Sequence, residues 1–393
     1  MKILSLAPYS VVPPDHGGKI RVLNLMRQLS ARGHDVEVWC ITDADRPAAD
    51  GGESPRIRFL RQRPRLSIGD KLAAGLSPLP SPAWVLRSED ARQAVRSARG
   101  FDVIVVEQAA SGSLLPEIRQ ASVPWVFDAH NVEWWLTMQV GRRLANPITR
   151  SRFAVDAMKF KRLERNLLTT ATSVVGVSEP DAARLRELAP LVEVHVHPNG
   201  VDTDYFAFVD HSKPAGANLV MTGTLGYYPN LDASLWLIRE ILPLVRARMP
   251  AANLTLVGGH ATPELERLDT PTTGVRVVGK VPDVRPYVAA ADVFVMPIRL
   301  GSGTRLKALE ALAAGLPIVS TRLGVEGLGL EDRGLVLLGE TASELAEAIE
   351  RAITDRPLRE RMVQDGRAYA VECFGWDRIA AGFESTLERA AGG

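Results

Sequence analysis

Short apolar segments alternate with longer amphipathic segments along most of the chain, and this alternation limits the fold more than any other feature. The apolar segments have the length of buried strands, and the amphipathic ones have the length of helices. Such alternation is typical of a parallel sheet with crossover helices on its faces. We therefore predict an α/β protein. The predicted strands lie at 2–7, 36–41, 57–60, 102–106, 125–128, 173–177, 192–196, 218–221, 253–257, 275–278, 293–296, 318–320 and 335–338.

The strand pattern starts again after the polar, proline- and glycine-containing segment 210–216, which is typical of a linker. A chain of 393 residues is also long for one hydrophobic core. We predict a first Rossmann-like domain at 1–210 and a second at 211–373.

Charge, cysteine content and hydropathy exclude several classes of protein. The 47 basic and 46 acidic residues give a net charge of +1, so a general nucleic-acid binder is not expected. Cys40 and Cys373 lack the spacing of a disulfide framework or a zinc site. Because no segment has the length and apolar character of a membrane span, and the apolar run at 2–7 is too short for a signal peptide, we expect a cytoplasmic protein.

Small and polar residues gather directly after the predicted strands. Gly17 and Gly18 follow the first strand and precede a helix predicted at about 20–32. His130 follows the strand that ends at Asp128, and Gly223 follows a strand of the second half. In open parallel sheets, ligands bind just beyond the carboxyl ends of the strands. Two such domains facing each other would line an interdomain cleft with these loops, and this cleft is the predicted site.

The segment 301–310 joins a predicted strand to a helix predicted to start near Thr304. The N–H groups and the dipole at a helix N-terminus stabilise phosphate, and glycines such as Gly303 allow close approach. Arg305 and Lys307 add full positive charges. We predict that these residues bind a diphosphate; the alternative is a flexible loop with two solvated cations.

Glu310, and the pair Gly17 and Gly18, also fit the prediction of a bound nucleoside diphosphate. Glu310 lies just beyond the first turn of that helix, where it can accept hydrogen bonds from ribose hydroxyls. The alternative for Glu310 is a surface pair with Lys307. The amides of Gly17 and Gly18 can reach a distal phosphate, although an ordinary flexible loop fits them equally well.

These residues resemble glycosyltransferase family 4, which consists of retaining enzymes of the GT-B fold. The resemblance is strongest at 301–328, where a glycine-rich Thr-Arg-Leu-Lys helix ends in Glu-Ala. It implies two Rossmann-like domains facing across a cleft, and a C-terminal helix at 374–393 that crosses back to the first. The other matching segments are 15–18, 127–133, 198–202, 223–225, 229–230 and 374–376.

The resemblance also implies roles for individual residues. His130 would contact the transferred sugar as the catalytic residue, and Gly223, Val281, Pro282 and Glu310 would bind the nucleoside. Two features depart from the family pattern. Ser302 stands where the first glutamate of the family's paired-glutamate motif is expected, and the loop that begins at Gly223 lacks the usual Arg and Lys pair.

The donor implied by the resemblance is a nucleoside-diphosphate sugar, which is a substrate, and no cofactor is expected. No metal is expected either, since the amides of Gly17 and Gly18, with Arg305 and Lys307, would stabilise the charge on the diphosphate. Two alternatives remain, a nucleotide-sugar 2-epimerase and a non-catalytic nucleotide-sugar or glycan-binding protein. A nicotinamide enzyme is disfavoured, because the first strand is not followed by a GxGxxG segment.

The acceptor stays open among a glycan, a lipid-linked glycan and a small-molecule aglycone. Two Arg-rich stretches, 56–65 and 150–165, have the charge needed to contact anionic lipid at the inner face of a membrane. Such stretches are more often solvated faces, so peripheral membrane contact is kept as an alternative. The excess of arginine over lysine is typical of a GC-rich bacterial genome.

Overall fold

The computed structural model describes residues 1–43, 55–63 and 73–392. The chain forms two compact units, one made of residues 1–198 together with the segment from Trp376 onward, and one made of Asn199–Gly375. Each unit contains its own parallel sheet covered by helices. The prediction of two Rossmann-like α/β domains is confirmed. Arg65, at the end of the first Arg-rich stretch, lies outside the described residues.

The sheet of the first unit has seven parallel strands in the order β3-β2-β1-β4-β5-β6-β7. Its central strands are apolar and buried on both faces, as expected for a parallel sheet between helical layers. The strands are β1 Lys2–Ala7, β2 Asp35–Thr42, β3 Arg56–Arg61, β4 Val103–Glu107, β5 Trp125–Ala129, β6 Ser173–Gly176 and β7 Val194–Val196. The helices between them are α1 Gly17–Ala31, α2 Ser81–Trp84, α3 Glu89–Arg96, α4 Gln108–Ser111, α5 Leu115–Ala121, α6 Glu133–Arg143, α7 Pro147–Leu168 and α8 Glu179–Leu188.

The sheet of the second unit has six parallel strands in the order β10-β9-β8-β11-β12-β13. Each predicted strand of the chain overlaps one of the observed strands. Those of this unit are β8 Asn218–Thr222, β9 Asn253–Val257, β10 Val275–Gly279, β11 Val293–Met296, β12 Ile318–Ser320 and β13 Leu337–Leu338. The helices are α9 Tyr228–Trp236, α10 Leu242–Arg248, α11 Pro263–Glu266, α12 Arg285–Ala289, α13 Leu306–Ala314, α14 Ala342–Thr354 and α15 Arg356–Phe374, and a π-helical turn, Leu237–Ile241, joins α9 to α10.

The strand order reverses once in each sheet. In the first unit β1 lies between β2 and β4, and in the second β8 lies between β9 and β11. The connections leaving the carboxyl ends of such neighbouring strands run in opposite directions and leave a crevice, which is where open α/β sheets bind ligands. The topology therefore points to the loops that follow β1 and β4, and to those that follow β8 and β11.

The units divide at Pro198–Asn199, ahead of the predicted boundary at 210. The segment after Asn199 packs on the second unit: the Val201 N–H donates to the Phe374 carbonyl at 2.7 Å, and the Val209 N–H donates to the Ala314 carbonyl at 3.0 Å. Phe206 is buried in the same core. Composition identifies only the polar segment 210–216 as a linker. The apolar and backbone contacts of the residues before it show that the second unit begins earlier, at Asn199.

A last helix, α16 Trp376–Gly392, belongs to the first unit, where it packs on α1. Its buried face includes Trp376, Phe383 and Leu387. Glu384 accepts hydrogen bonds from Arg32 and His34, which lie at the end of α1 and just beyond it. Within the described residues, no helix is both long enough and apolar enough to cross a membrane.

Candidate active site

The loop between β11 and α13 carries the glycine-rich segment. Gly301 and Gly303 have φ angles of 149° and 77°, a region that residues with a side chain rarely adopt. Helix α13 begins at Leu306 with Arg305 as its N-cap residue, two positions later than the predicted start near Thr304. The reason is that Gly303 turns the chain through a left-handed conformation, so the first helical residue comes after it.

Two side chains fix this loop from other parts of the second unit. Asn199 donates from Nδ2 to the Thr304 hydroxyl oxygen at 2.9 Å and to its carbonyl at 3.2 Å. Arg299, near the start of the loop, forms a two-point ion pair with Asp232 of α9, at 2.9 and 3.0 Å. The predicted phosphate-binding backbone is thus held in place by side chains that the sequence interpretation did not assign to the site.

The guanidinium of Arg305 bonds to its own loop. Its Nη1 donates to the carbonyl oxygens of Ser302 and Gly303. A methyl group built on Gly301 would overlap the same guanidinium, at 2.1 Å from Nη2. Arg305 therefore holds positive charge against the glycine-rich backbone.

Lys307 reaches from α13 to the loop after β8. Its Nζ donates to the Asn230 side-chain oxygen at 2.7 Å, and Asn230 in turn donates to the Thr224 carbonyl at 2.9 Å. A methyl group built on Gly223 would lie only 2.7 Å from Nζ. The structure thus brings two separately predicted residues, Gly223 and Lys307, together at the carboxyl ends of β8 and β11.

The two titratable groups on the first turns of α13 have shifted pKa values. Burial, aided by the nearby charge of Arg305, lowers the pKa of Lys307 to about 7. Burial raises the pKa of Glu310 to about 7, and Lys307 opposes that rise. Both residues are half-buried. Strongly shifted groups at the ligand end of a parallel sheet are typical of functional sites.

The remaining predicted nucleoside-binding residues lie in the loop after β10. Val281 packs partly against the core of the second unit, and Pro282 is exposed. Gly223 has a φ of 129°, and its carbonyl oxygen would lie 1.7 Å from a methyl group built on Gly258. The backbones at the ends of β8 and β9 therefore approach each other in a way that only glycine at 258 permits.

In the first unit, Gly17 and Gly18 form the first turn of α1, which begins three residues before the predicted start at 20. A methyl group on Gly18 would overlap the Tyr9 hydroxyl, at 2.2 Å, and would lie 3.0 Å from the Gln108 amide nitrogen. The sequence interpretation gave Gly18 a role toward phosphate. The structure adds that Gly18 is needed for the packing of Tyr9 and Gln108 against the helix N-terminus.

His130 follows β5 and is buried. Its Nε2 lies 2.8 Å from Glu107 Oε2 and 3.3 Å from Asp128 Oδ2. Asp128 also forms a two-point ion pair with the fully buried Arg21, both distances being 2.9 Å. Sequence interpretation placed Asp128 beside His130 but missed Glu107 and Arg21, because these come from β4 and α1, and only the strand order brings them near.

The charges in this cluster set its protonation. Burial alone would lower the pKa of His130, but Asp128 and Glu107 together raise it to about 9. Burial also opposes ionisation of Asp128, yet Arg21 and His130 hold the pKa of that carboxyl well below its usual range. In the part of the chain that the structure describes, Glu107 has no guanidinium partner of this kind, and burial raises its pKa. A protonated His130 would, together with Arg21, balance the two buried carboxylates.

Glu107, Asp128 and His130 also form the one group of metal-binding residue types within the described chain whose ligand atoms lie within 4.8 Å of one another. The group does not suit a cation. Both oxygens of Asp128 accept from Arg21, and Glu107 Oε1 accepts from the Ser5 hydroxyl at 2.7 Å. A guanidinium on the shared carboxylate takes the charge that a divalent ion would need.

Comparison with known families assigns both units. The family described as glycosyl transferase 4-like domain matches residues 16–200, and the family described as glycosyl transferases group 1 matches residues 216–355.

Curated relatives carry glycosyltransferase names. The chain is 32% identical to the lipopolysaccharide core biosynthesis glycosyltransferase LpsE of Rhizobium meliloti, over 57% of this chain and 65% of that protein. It is 30% identical to the GDP-mannose-dependent alpha-(1-6)-phosphatidylinositol monomannoside mannosyltransferase of Mycobacterium tuberculosis, over 49% of this chain and 55% of that protein. These matches span less than two thirds of either relative. The phosphatidyl-myo-inositol mannosyltransferase of the same organism aligns at 29% identity over 100% of this chain and 98% of that protein.

The fold has counterparts among solved structures. Sucrose-phosphate synthase from Thermosynechococcus elongatus superposes with a TM-score of 0.73 at 21% identity, over 98% of each chain. Sugar transfer is the activity common to the matched families and these relatives. The chain belongs to glycosyltransferase family 4 and has the two-domain, Rossmann-like GT-B fold that its sequence motifs imply.

Proposed function

We propose that the protein transfers a hexose or related sugar from a nucleoside-diphosphate donor to an acceptor hydroxyl, with retention of anomeric configuration and without a metal ion. One observation carries the proposal. Lys307 at the start of α13 lies against Gly223, in the crevice where the strand order of the second sheet reverses.

The second unit would bind the nucleoside diphosphate. The amides of Gly303 and Thr304, with the charges of Arg305 and Lys307, would surround the two phosphates. Glu310 would accept the ribose hydroxyls, and the backbone near Gly223, Val281 and Pro282 would contact the base. A relative named for its dependence on GDP-mannose supports a donor of this class.

The first unit would act on the sugar and on the departing diphosphate. His130 would contact the transferred sugar, and the amides of Gly17 and Gly18 would approach the distal phosphate. In the reaction, the acceptor oxygen bonds to the anomeric carbon while the bond from that carbon to the phosphate oxygen breaks. The electron pair of the broken bond stays on the diphosphate, which also receives the acceptor proton. Groups that stabilise the growing negative charge on the diphosphate speed the transfer.

The donor site can be tested by thermal unfolding of the full chain with UDP, GDP, ADP and their sugars. A matching nucleotide should raise the melting temperature, since a ligand that binds only the folded state stabilises it. In Lys307→Met, the loss of a charged contact should weaken binding roughly 10- to 100-fold. The exposed Lys213 of the same unit provides the control, and Lys213→Met should bind as the wild type does. Equal binding in both variants would contradict the proposed diphosphate site.

The reaction itself can be tested with the donor that binds. Slow hydrolysis of this donor should release the sugar first as the anomer present in the donor, as followed by proton NMR before mutarotation. EDTA should leave donor consumption unchanged. Release of the opposite anomer would contradict retention, loss of activity in EDTA would contradict metal independence, and binding without consumption would favour a non-catalytic binding protein.

A lipid-linked acceptor would bring the protein to a membrane surface, and α7 offers a surface for this contact. Ile148 and Met158 of this helix are 74% and 64% exposed, and every exposed charged side chain of α7 is basic. A helix with exposed apolar and basic groups binds anionic lipid through both. Relatives named as phosphatidylinositol monomannoside and phosphatidyl-myo-inositol mannosyltransferases support this class of acceptor. The exposed basic residues are Arg150, Arg152, Lys161, Arg162 and Arg165.

Membrane contact can be measured by flotation with phosphatidylglycerol vesicles and with neutral phosphatidylcholine vesicles. The wild type should float with the anionic vesicles at low salt, and Met158→Glu should lose most of this binding. Val371 on α15 is 49% exposed, so Val371→Glu is a matched control that should float normally. Equal flotation of the two variants would exclude α7 as the contact.

A further inference from the structure

Two consecutive residues hold the two ring nitrogens of His130. Glu107, the last residue of β4, lies 2.8 Å from Nε2 through its Oε2. Gln108, the next residue, lies 3.2 Å from Nδ1 through its side-chain amide. That amide also lies 3.0 Å from the Tyr9 hydroxyl. The imidazole is thus fixed in its plane from both sides.

The backbone at this point is unusual. Gln108 has a φ of 61°, a left-handed conformation that is uncommon for a residue with a long side chain. Non-glycine residues in this region cost free energy and gather at functional sites. Here the conformation lets the chain leave β4 abruptly, so that Glu107 and Gln108 both face His130 instead of pointing to opposite faces, as successive residues of a strand would.

The sheet register places the two carboxylates side by side. Glu107 pairs with Asp128 between β4 and β5, and His130 lies two residues further along the chain. Asp128 is neutralised by Arg21 through two hydrogen bonds. Glu107 receives the uncharged Ser5 hydroxyl on one oxygen and the His130 ring on the other. The cation available to Glu107 in this cluster is therefore the protonated form of His130.

A charge count gives the number of protons that the cluster holds. With His130 neutral and Glu107 ionised, the four groups Arg21, Asp128, Glu107 and His130 would hold one uncompensated negative charge, and an unpaired buried charge is strongly unfavourable. One added proton makes the cluster neutral. The shared hydrogen bond between Glu107 and His130 is the place where this proton can bind without leaving a charge unpaired.

The structure assigns a role to Glu107 that rests on the proposed function of His130: it is a positioning residue that fixes the imidazole and keeps it cationic at neutral pH. A cationic His130 next to the sugar would add a fixed positive charge where the departing diphosphate becomes more negative. The amide of Gln108 would then present its oxygen to Nδ1, since a half-turn exchanges its oxygen and nitrogen.

Three other titratable groups lie near His130, and two of them are uncharged at neutral pH. Burial lowers the pKa of His16 to about 4, so His16 is uncharged. Burial raises the pKa of Tyr9 well above its usual value, so the phenol keeps its proton. Burial also raises the pKa of Glu133, whose carboxylate accepts from the Asn131 side chain.

The test is an NMR titration of His130 in the full chain, without any donor, using histidine labelled with ¹³C and ¹⁵N. His130→Asn identifies its signal. In the wild type, His130 should keep its proton until the pH approaches 9. In Glu107→Gln, the pKa of His130 should fall by one unit or more, a loss of about tenfold or more in proton affinity. Glu117, a buried glutamate of the same unit paired with Arg87 and Arg92, provides the control, and Glu117→Gln should leave His130 unchanged.

A wild-type His130 that titrates near 6.5, or a pKa that Glu107→Gln does not lower, would overturn the assignment; the first outcome needs no variant to fold. An activity profile adds a second readout. With the donor that binds, the alkaline limit of kcat should move to lower pH in Glu107→Gln, with little change in KM. If the NMR shift is found but no donor is consumed at any pH, the proposed transfer fails and the role of Glu107 stands.

Discussion

At the scale of single residues, the predicted sites at Lys307 and His130 differ in how firmly each side chain holds its proton. Among the described residues, the direct polar partner of Lys307 is the neutral Asn230 amide, and burial leaves its ammonium close to half-protonated at neutral pH. His130 instead lies between two carboxylates, which hold its proton. A bound diphosphate would therefore change the charge of Lys307 much more than that of His130.

Diphosphate binding should accordingly weaken as the pH rises above 7. The pKa of Lys307 lies below its ordinary value, so the free protein loses this cation as the pH rises through 7, and the bound anion must recover the proton. Between pH 7.5 and 9 the dissociation constant for the nucleoside diphosphate should rise, by at most about tenfold per pH unit for one proton. Isothermal titration across this range measures the effect.

Lys307→Arg gives the control, because a guanidinium stays charged throughout this range. The ionisation of Glu310, whose pKa is about 7, acts on both proteins and in the same direction. The wild type should therefore show a steeper rise than Lys307→Arg. Parallel curves would mean that Lys307 does not contact the diphosphate.

At the scale of strands and helices, the sequence predicted the strands well but not the contacts that hold the candidate site residues. Continuous apolar runs such as β4 and β11 mark buried strands by composition alone, and strand ends mark the loops that bind ligands. The helix starts at Gly17 and Leu306 differ from the predicted ones by two or three residues. Glycine turns and caps decide these starts, and periodicity does not show them.

Several site residues could not be predicted, because strand order determines their partners. In the sequence, Glu107 only ends an apolar strand segment. The pairing of β4 with β5 is what places it beside His130. Asn230 and Asn199 lie in matched motifs, but their contacts with Lys307 and Thr304 join residues far apart in the sequence. A polar residue at the end of an apolar strand is the signal that would have singled out Glu107.

The N-terminus of α1 gives a prediction at this scale. Gly18→Ala should displace Tyr9 and Gln108, since the added methyl group would lie 2.2 Å from the Tyr9 hydroxyl. We expect a loss of about 1–3 kcal/mol in the free energy of unfolding, as for overpacking of a core, and a larger relative loss of donor turnover. Gly100 of the same unit has room for a methyl group, so Gly100→Ala should change neither quantity. Urea unfolding and donor consumption measure both; a fully active Gly18→Ala would show that this packing is dispensable.

At the scale of the whole molecule, the first unit is discontinuous. Its sheet comes from residues 1–198, but α16 covers α1 after the chain has built the second unit. Ile379, Phe383 and Leu387 of α16 are buried in the first unit. Fully burying each such side chain stabilises a protein by about 1.5–3 kcal/mol. The stability of the first unit thus depends on residues that lie beyond the second in the sequence.

Truncation after Gly375 tests this dependence. The shortened chain should lose several kcal/mol of stability in the first unit, seen as earlier melting and as rapid hydrogen exchange in α1 and β1. The second unit, Asn199–Gly375, should keep slow exchange in β8 and β11. A double substitution, Phe383→Ala with Leu387→Ala, should reproduce part of the loss, and protected α1 amides in the truncated chain would contradict the assigned packing.

The late arrival of α16 also has a consequence for synthesis. A ribosome that adds about 5–20 residues per second needs roughly 10–40 s to pass from Pro198 to the end of α16. During that interval the surface of α1 that α16 covers stays exposed, while the second unit can already fold. The first unit is therefore the first to be translated and the last to be completed.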